Sequence, residues 1–245
     1  MHPILFQLGP ATIHSWGVLV AVAIILVVSL IYKNSAREGF QAEKIIDGTF
    51  WTILSGLIGA RLIYVIFHWP LFQKNPLEAL YLWQGGLAWY GALGGGFSTA
   101  WFYCWKNKIN FLKIMDLVAP FVALGYAVGR IGCFLNGCCY GKICRLPWAV
   151  KFPNYPGLRH PTQIYSALFW LFLFLVLLFL KKYKKFDGQI FYLGIIIYSF
   201  YRFFLEVVRE DVPYFFYGLN SIQIASVVIF VVFGGIYVYQ KLKLK

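Results

Sequence analysis

Gly129-Arg130-Ile131-Gly132-Cys133-Phe134-Leu135-Asn136-Gly137-Cys138-Cys139-Tyr140-Gly141 lies where the apolar run Ile114–Leu135 gives way to a polar loop. That run has the length a helix needs to cross a bilayer, about 20 residues. Arg130 sits inside it. A charged side chain at the centre of a membrane helix costs roughly 2.5–3.5 kcal/mol on insertion scales, so it is a functional candidate by default. The plainer reading is an Arg that snorkels to the interface beside small residues at a helix end. Two further cations inside apolar runs, Arg61 and Arg202, favour the functional one.

Composition points the same way. Of 245 residues, 60% are hydrophobic, 20% aromatic and 13% charged; soluble domains carry about 25% charged residues. The chain reads as an all-α polytopic membrane protein in a single integral-membrane domain, residues 1–245. The net charge of +13 could suggest a nucleic-acid binder. The basic residues instead fall in small clusters between apolar runs, the pattern of membrane topology, so no nucleic acid is expected. Met1–Ile13 contains no Lys or Arg. The basic start of a cleaved signal is missing there, and the first span is expected to be retained.

Seven spans are expected, at about Trp16–Tyr32, Asp47–Trp69, Gly85–Trp105, Ile114–Leu135, Pro161–Leu180, Gly188–Val208 and Leu219–Tyr239. Gly56, Gly59 and Ala60 in the second let helices approach closely. Gly91, Gly94, Gly95 and Gly96 in the third fit either tight packing or a kink where backbone meets a ligand. Alternate loops hold thirteen Lys and Arg on one side and six on the other. The amino terminus is therefore expected outside and the carboxyl terminus in the cytoplasm, with the long loop Asn136–His160 opening outward.

Arg202 and Glu206 are four apart, hence on one helix face. They could simply neutralise each other. But Arg61, Arg130 and Arg202 outnumber the acids at intramembrane positions, and Arg forks suit phosphate. The abundant membrane anion is a phospholipid head group. His160-Pro161-Thr162-Gln163-Ile164-Tyr165 opens the fifth span, and could be an ordinary interfacial girdle. Four of five cysteines fall in Cys133-x4-Cys138-Cys139-x4-Cys144. This spacing fits zinc and iron–sulfur sites poorly. Packing, one disulfide, or a metal or direct chemistry remain as readings.

Taken in order, these landmarks resemble the bacterial prolipoprotein diacylglyceryl transferases over nearly the whole chain. The resemblance rests on Gly59-Ala60-Arg61, Trp83-Gln84-Gly85-Gly86-Leu87 with Gly91 and Gly95, and Asp116-Leu117-Val118-Ala119-Pro120. It continues through Gly129-Arg130-Ile131-Gly132-x-Phe134-x-Asn136-Gly137 with Tyr140-Gly141, and His160-Pro161-Thr162-Gln163-Ile164-Tyr165. It ends with Arg202-x-x-x-Glu206-x-x-Arg209-Glu210-Asp211 and Ser221-Ile222-Gln223. The family pattern has Asn and Glu where this chain has Cys133 and Cys138, His where it has Tyr90, and Tyr where it has Trp16. These departures suggest a divergent branch.

The resemblance implies transfer of a diacylglyceryl group from phosphatidylglycerol to the lipobox cysteine of a preprolipoprotein, with release of glycerol phosphate. Arg130 and Arg202 are expected to clamp the phosphate, Glu206 to orient Arg202, and Asn136 to bond the head group. Arg61 is a weaker candidate. Tyr90 and His160 compete for proton transfer. Gly137, Gly141, Gln163 and Trp16 are expected to line the substrate. No metal or cofactor is expected. The implied setting is the bacterial cytoplasmic membrane, with phosphatidylglycerol and preprolipoprotein signal peptides as partners and a monomeric state. Two other classes stay open. One is a phospholipid-binding or transporting protein with altered catalysis; the other is a thiol–redox protein built on the cysteine loop.

Overall fold

The computed structural model describes residues 1–8, 11–81, 85–153, 155–210, 214–216 and 218–244. Among the landmarks, Trp83, Gln84 and Asp211 lie outside the described residues, as does Lys245 of the charge count. Each expected apolar run is one long helix. These are α1 (Ser15–Ser35), α2 (Ala42–Phe67), α3 (Trp89–Lys106), α4 (Phe111–Asn136), α5 (Thr162–Lys181), α6 (Gln189–Leu205) and α7 (Ser221–Leu242). α1, α2, α4, α5 and α7 are long and apolar enough to cross a membrane. α6 is apolar but shorter, at 17 residues, and α3 is rich in glycine. Large apolar side chains such as Ile25, Leu62, Trp101, Leu168 and Val231 point outward. Apolar exposure on that scale suits lipid rather than water. The chain is an all-α polytopic membrane protein.

The sequence reading placed no strands, yet three short antiparallel ribbons occur among the described residues. They are β1 (Ile4–Leu8) with β2 (Ala11–His14), β3 (Val150–Lys151) with β4 (Leu158–Arg159), and β5 (Tyr214–Phe216) with β6 (Leu219–Asn220). All lie in segments next to helix ends. With two to five residues each, they are too short for a visible alternation of apolar and polar residues.

The chain divides into two compact units, one of residues Ile31–Ile114 and one of Met1–Leu30 with Met115–Lys245. In the first, α2 and α3 touch backbone to backbone. A Cβ on Gly59 would come 2.5 Å from the Gly91 carbonyl oxygen, and one on Gly95 would come 2.5 Å from that of Ser55. Ser55 Oγ donates across the seam to the Gly95 carbonyl at 3.2 Å. Gly91 and Gly95 of α3 therefore serve tight packing, and the helix runs unbroken from Trp89 to Lys106.

In the second unit, α4, α5 and α6 share a core of Ala123, Leu173, Leu177 and Ile190, extended by Phe169, Trp170 and Ile197. Tyr126, Trp170 and Tyr198 stack in series at 4.7 and 4.8 Å. Asp116, buried on α4, accepts the backbone N–H groups of Gly188 at 2.7 Å and Phe191 at 2.9 Å. It thus caps α6 from a neighbouring helix and puts negative charge at the positive helix end. Lys184 Nζ, 3.0 Å from Asp116, balances that charge. Asn220 and Gln223 close a reciprocal capping box at the start of α7.

Candidate functional site

Segment 129–141 ends α4 and turns the chain back. The N–H of Gly137 bonds the Phe134 carbonyl at 3.1 Å, and that of Cys138 bonds the Cys133 carbonyl at 3.2 Å. This is a Schellman ending, and Gly137 takes the left-handed position at φ 75° that glycine tolerates best. Cys139 is left-handed too, at φ 63°. Two side chains of the first turn of α5 hold this turn. Thr162 Oγ1 donates to the Cys139 carbonyl and Gln163 Nε2 to the Cys138 carbonyl, both at 2.6 Å.

Gly141 is the crossing point. Its N–H reaches the His160 carbonyl at 2.9 Å, and the Lys142 N–H reaches the Val208 carbonyl at 2.8 Å. A Cβ on Gly141 would fall 2.6 Å from the Val208 oxygen and 2.8 Å from both His160 and Thr162 side chains. The end of α4, the start of α5 and the segment after α6 therefore meet where only glycine fits.

Charge collects around that crossing. Glu206 has a fully buried side chain; its Oε1 lies 2.6 Å from Arg202 Nη2 and 3.6 Å from Arg209 Nε. Its Oε2 accepts from Asn220 Nδ2 at 2.9 Å. Two guanidiniums thus share one carboxylate. Arg130 is half-buried, and among the described residues its guanidinium has no hydrogen-bond or ion-pair partner. Arg130 and Arg202 both act electrostatically on Tyr126 and Tyr201. The set carries more positive than negative charge, the condition for holding an anion. At the rim, Arg159 pairs with Glu210 at 2.6 Å and lies over the Tyr140 ring at 5.0 Å.

His160 Nδ1 is 3.2 Å from the Tyr165 hydroxyl, which also accepts from Trp148 Nε1 at 2.7 Å. Asn136 is the exposed last residue of α4. Trp16 packs where Gly132 leaves room, its Cα 3.4 Å from where a Cβ there would stand. Gln163 is fully buried, and its Oε1 has no partner among the described residues. Cys139 Sγ donates to Cys138 Sγ at 3.7 Å, and the Cys138 thiol to the Cys133 carbonyl at 3.7 Å.

The second unit thus gathers Arg130, Arg202, Glu206, Asn136, Gly137, Gly141, His160, Gln163 and Trp16. Arg61 and Tyr90 belong to the other unit. Tyr90 is 79% exposed in the first turn of α3. Arg61 is 7% exposed and spends its donors on backbone. Nε reaches the Ala79 carbonyl at 2.8 Å, Nη1 those of Gly85 and Gly86 at 2.5 and 3.1 Å, and Nη2 that of Glu78 at 2.7 Å. Gly85 and Gly86, at φ 80° and 74°, turn their carbonyls to meet it. That arrangement gives Arg61 a loop to hold rather than an anion.

Residues 3–239 match the family model described as prolipoprotein diacylglyceryl transferase. A phosphatidylglycerol–prolipoprotein diacylglyceryl transferase of Clostridium tetani is 38% identical over 98% of this chain and 97% of its own length. Proteins of the same name from Finegoldia magna and Staphylococcus carnosus are 34% and 32% identical, over 99% and 98% of this chain and 96% and 91% of theirs.

The chain belongs to the prolipoprotein diacylglyceryl transferase family.

Within that family frame, the site contains a residue that the sequence reading quoted as a landmark but gave no role. Arg209, at i+3 from Glu206, completes the shared ion pair. The same helix spacing that joined Arg202 to Glu206 could have found it. The contact of Tyr165 with His160, and of Trp148 with Tyr165, was also missed; Trp148 comes from a loop, and no spacing rule reaches it.

Proposed function

We propose that this prolipoprotein diacylglyceryl transferase family member moves a diacylglyceryl group from phosphatidylglycerol to the lipobox cysteine thiol of preprolipoproteins, releasing glycerol phosphate. The observation that carries the proposal is the imbalance around Glu206: Arg202 and Arg209 share one buried carboxylate, and Arg130 nearby has no ion-pair partner among the described residues. Thiolate attack on the sp3 glycerol carbon forms a C–S bond. The C–O bond to phosphate breaks, and its electron pair leaves on glycerol phosphate. Negative charge grows on the phosphate as the bond lengthens, and fixed guanidiniums in a poorly hydrated site stabilise it.

Arg130 and Arg202 clamp the phosphate, Glu206 orients Arg202, and Asn136 bonds the head group. With Nδ1–H donating to the Tyr165 oxygen, His160 keeps a free lone pair on Nε2 and can take the thiol proton. Tyr90 is the competing proton-transfer residue. Gly137, Gly141, Gln163 and Trp16 line the substrate. All seven helices cross the bacterial cytoplasmic membrane as one monomeric integral domain, with the amino terminus outside and the carboxyl terminus in the cytoplasm.

The test is a liposome assay with purified protein, phosphatidylglycerol labelled in its head-group glycerol and a lipobox peptide. Peptide-dependent release of labelled glycerol phosphate is expected. Lipid binding without release, given a known good acceptor, would instead favour a lipid-binding or transporting protein. Cys133, Cys138 and Tyr90, which depart from the family pattern, are what favour that second reading.

A further inference from the structure

One cluster beside the phosphate site has no role in the scheme above. The sulfurs of Cys133, Cys138 and Cys139 all lie within 4.8 Å of one another, and those of Cys138 and Cys139 are 3.7 Å apart. Zinc–sulfur bonds of about 2.3 Å in a tetrahedral site place sulfurs about 3.8 Å apart. Small side-chain rotations would bring all three to that spacing. Sequence spacing fits a metal poorly because zinc cysteines usually come as two close pairs, not as neighbours with gaps of four. Here the backbone overcomes this, through the reversal at Gly137 and the left-handed Cys139. A non-glycine residue in that conformation costs about 1–3 kcal/mol and persists where its surroundings over-determine it. The bonds from Thr162 and Gln163 to the two cysteine carbonyls do so. All three thiols are half-buried and free, so an ion can reach them. Arg130, three residues before Cys133 on α4, shares its helix face.

We propose that Cys133, Cys138 and Cys139 form a three-thiolate site for one zinc-like divalent cation, with the fourth position open to the acceptor thiol. Three thiols bind the ion and release three protons, leaving a group of net charge −1 that the neighbouring Arg130 offsets. A site with three protein ligands keeps such an open position. A thiol that enters it gives its proton to His160, the base of the scheme above, and becomes a thiolate. Its sulfur then forms the C–S bond as the C–O bond to phosphate breaks. The thioether product is a weak ligand and departs, and the ion stays divalent throughout. The fourth-ligand assignment rests on the transferase reading; the binding of the ion does not.

The test uses full-length protein in detergent, reduced and stripped of metal, titrated with Co2+ alone. Saturation at one equivalent is expected, with thiolate-to-cobalt charge-transfer absorption that Zn2+ displaces. Cys133→Ser and Cys139→Ser should abolish it, whereas Cys104→Ser and Cys144→Ser should leave it unchanged. Zn2+ should also protect three of the five cysteines from alkylation in the unaltered chain, a readout that stands if a variant fails to fold. A lipobox peptide should then shift the cobalt ligand-field bands, and a peptide with Ser in place of Cys should not. Absence of saturable absorption, or absorption that survives both Ser variants, overturns the site. A saturable site that ignores the peptide thiol overturns the fourth position. Full glycerol phosphate release by stripped protein with chelator would remove the ion from the reaction while the transferase reading stands. A cobalt site in protein that never releases glycerol phosphate would sink the transferase reading and leave the metal site intact.

Discussion

Glu206 presents Oε1 to Nη2 of Arg202 at 2.6 Å from one helical turn further along, with its own side chain fully out of solvent. A carboxylate so placed fixes the plane of the guanidinium. Glu206→Gln keeps the shape and removes the charge. Transfer is expected to fall about 10–100-fold, the range seen when a residue supporting a functional ligand is changed. Glycerol phosphate release at saturating peptide measures this. Turnover at the unaltered rate would mean that Arg202 needs no partner.

Among the described residues the Arg130 guanidinium has no hydrogen-bond or ion-pair partner, so its loss should fall on the reaction rather than on the fold. Arg130→Ala is expected to lower release at least about 100-fold, the cost of losing one preorganised donor to developing charge. The melting temperature in detergent should stay where it was. Lipid label entering a lipoprotein at the normal rate would remove Arg130 from the clamp.

Arg61 should behave in the opposite way. Its guanidinium serves the carbonyls of Glu78, Ala79, Gly85 and Gly86. Arg61→Ala strands these groups and is expected to cost about 3–5 kcal/mol, as for breaking a buried charged contact. Limited proteolysis near residue 80 should accelerate. Arg61→Lys should recover only part, because three ammonium donors cannot reproduce a planar fork. An Arg61→Ala protein with normal stability and reduced lipid binding would make Arg61 an anion ligand after all.

The glycine seam offers a paired test. Gly59 and Gly95 each face backbone at 2.5 Å, whereas a Cβ on Gly94 meets nothing within 4 Å. Gly95→Ala should destabilise the protein by about 1–3 kcal/mol through overpacking. Gly94→Ala should be neutral or stabilising by up to about 1 kcal/mol, from helix propensity. Thermal unfolding in one detergent compares them. Equal effects would mean that the seam does not carry the packing of α2 on α3.

Asp116→Asn should loosen the start of α6. It removes the charge that faces Lys184 and the N–H groups of Gly188 and Phe191. A loss of about 1–2 kcal/mol is expected for such a cap. Hydrogen exchange at Phe191 should rise before that at mid-helix residues.

The helices were legible because lipid demands long apolar runs, and each run became one helix. The Arg202–Glu206 pair was legible because i,i+4 spacing on a helix leaves little freedom. What stayed hidden depends on backbone reversals and on loops. The grouping of Cys133, Cys138 and Cys139 requires two left-handed residues, of which only Gly137 announces itself. The occupation of Arg61 depends on a loop about twenty residues away that turns four carbonyls toward it. The cap on α6 comes from Asp116, some seventy residues earlier, and no local pattern joins them.

The seam between α2 and α3 and the anchor that Arg61 provides both lie within residues 31–114. A nascent chain emerges amino terminus first. Once α3 has been made, this hairpin holds every group needed to bury its own cation and close its own seam. The Arg61 charge inside α2 is therefore solvated by backbone carbonyls before α4 is synthesised, and the bilayer never has to accommodate it bare. Biogenesis of this membrane protein has a natural early stage, in which a finished helical hairpin waits for the part of the chain that carries Arg130.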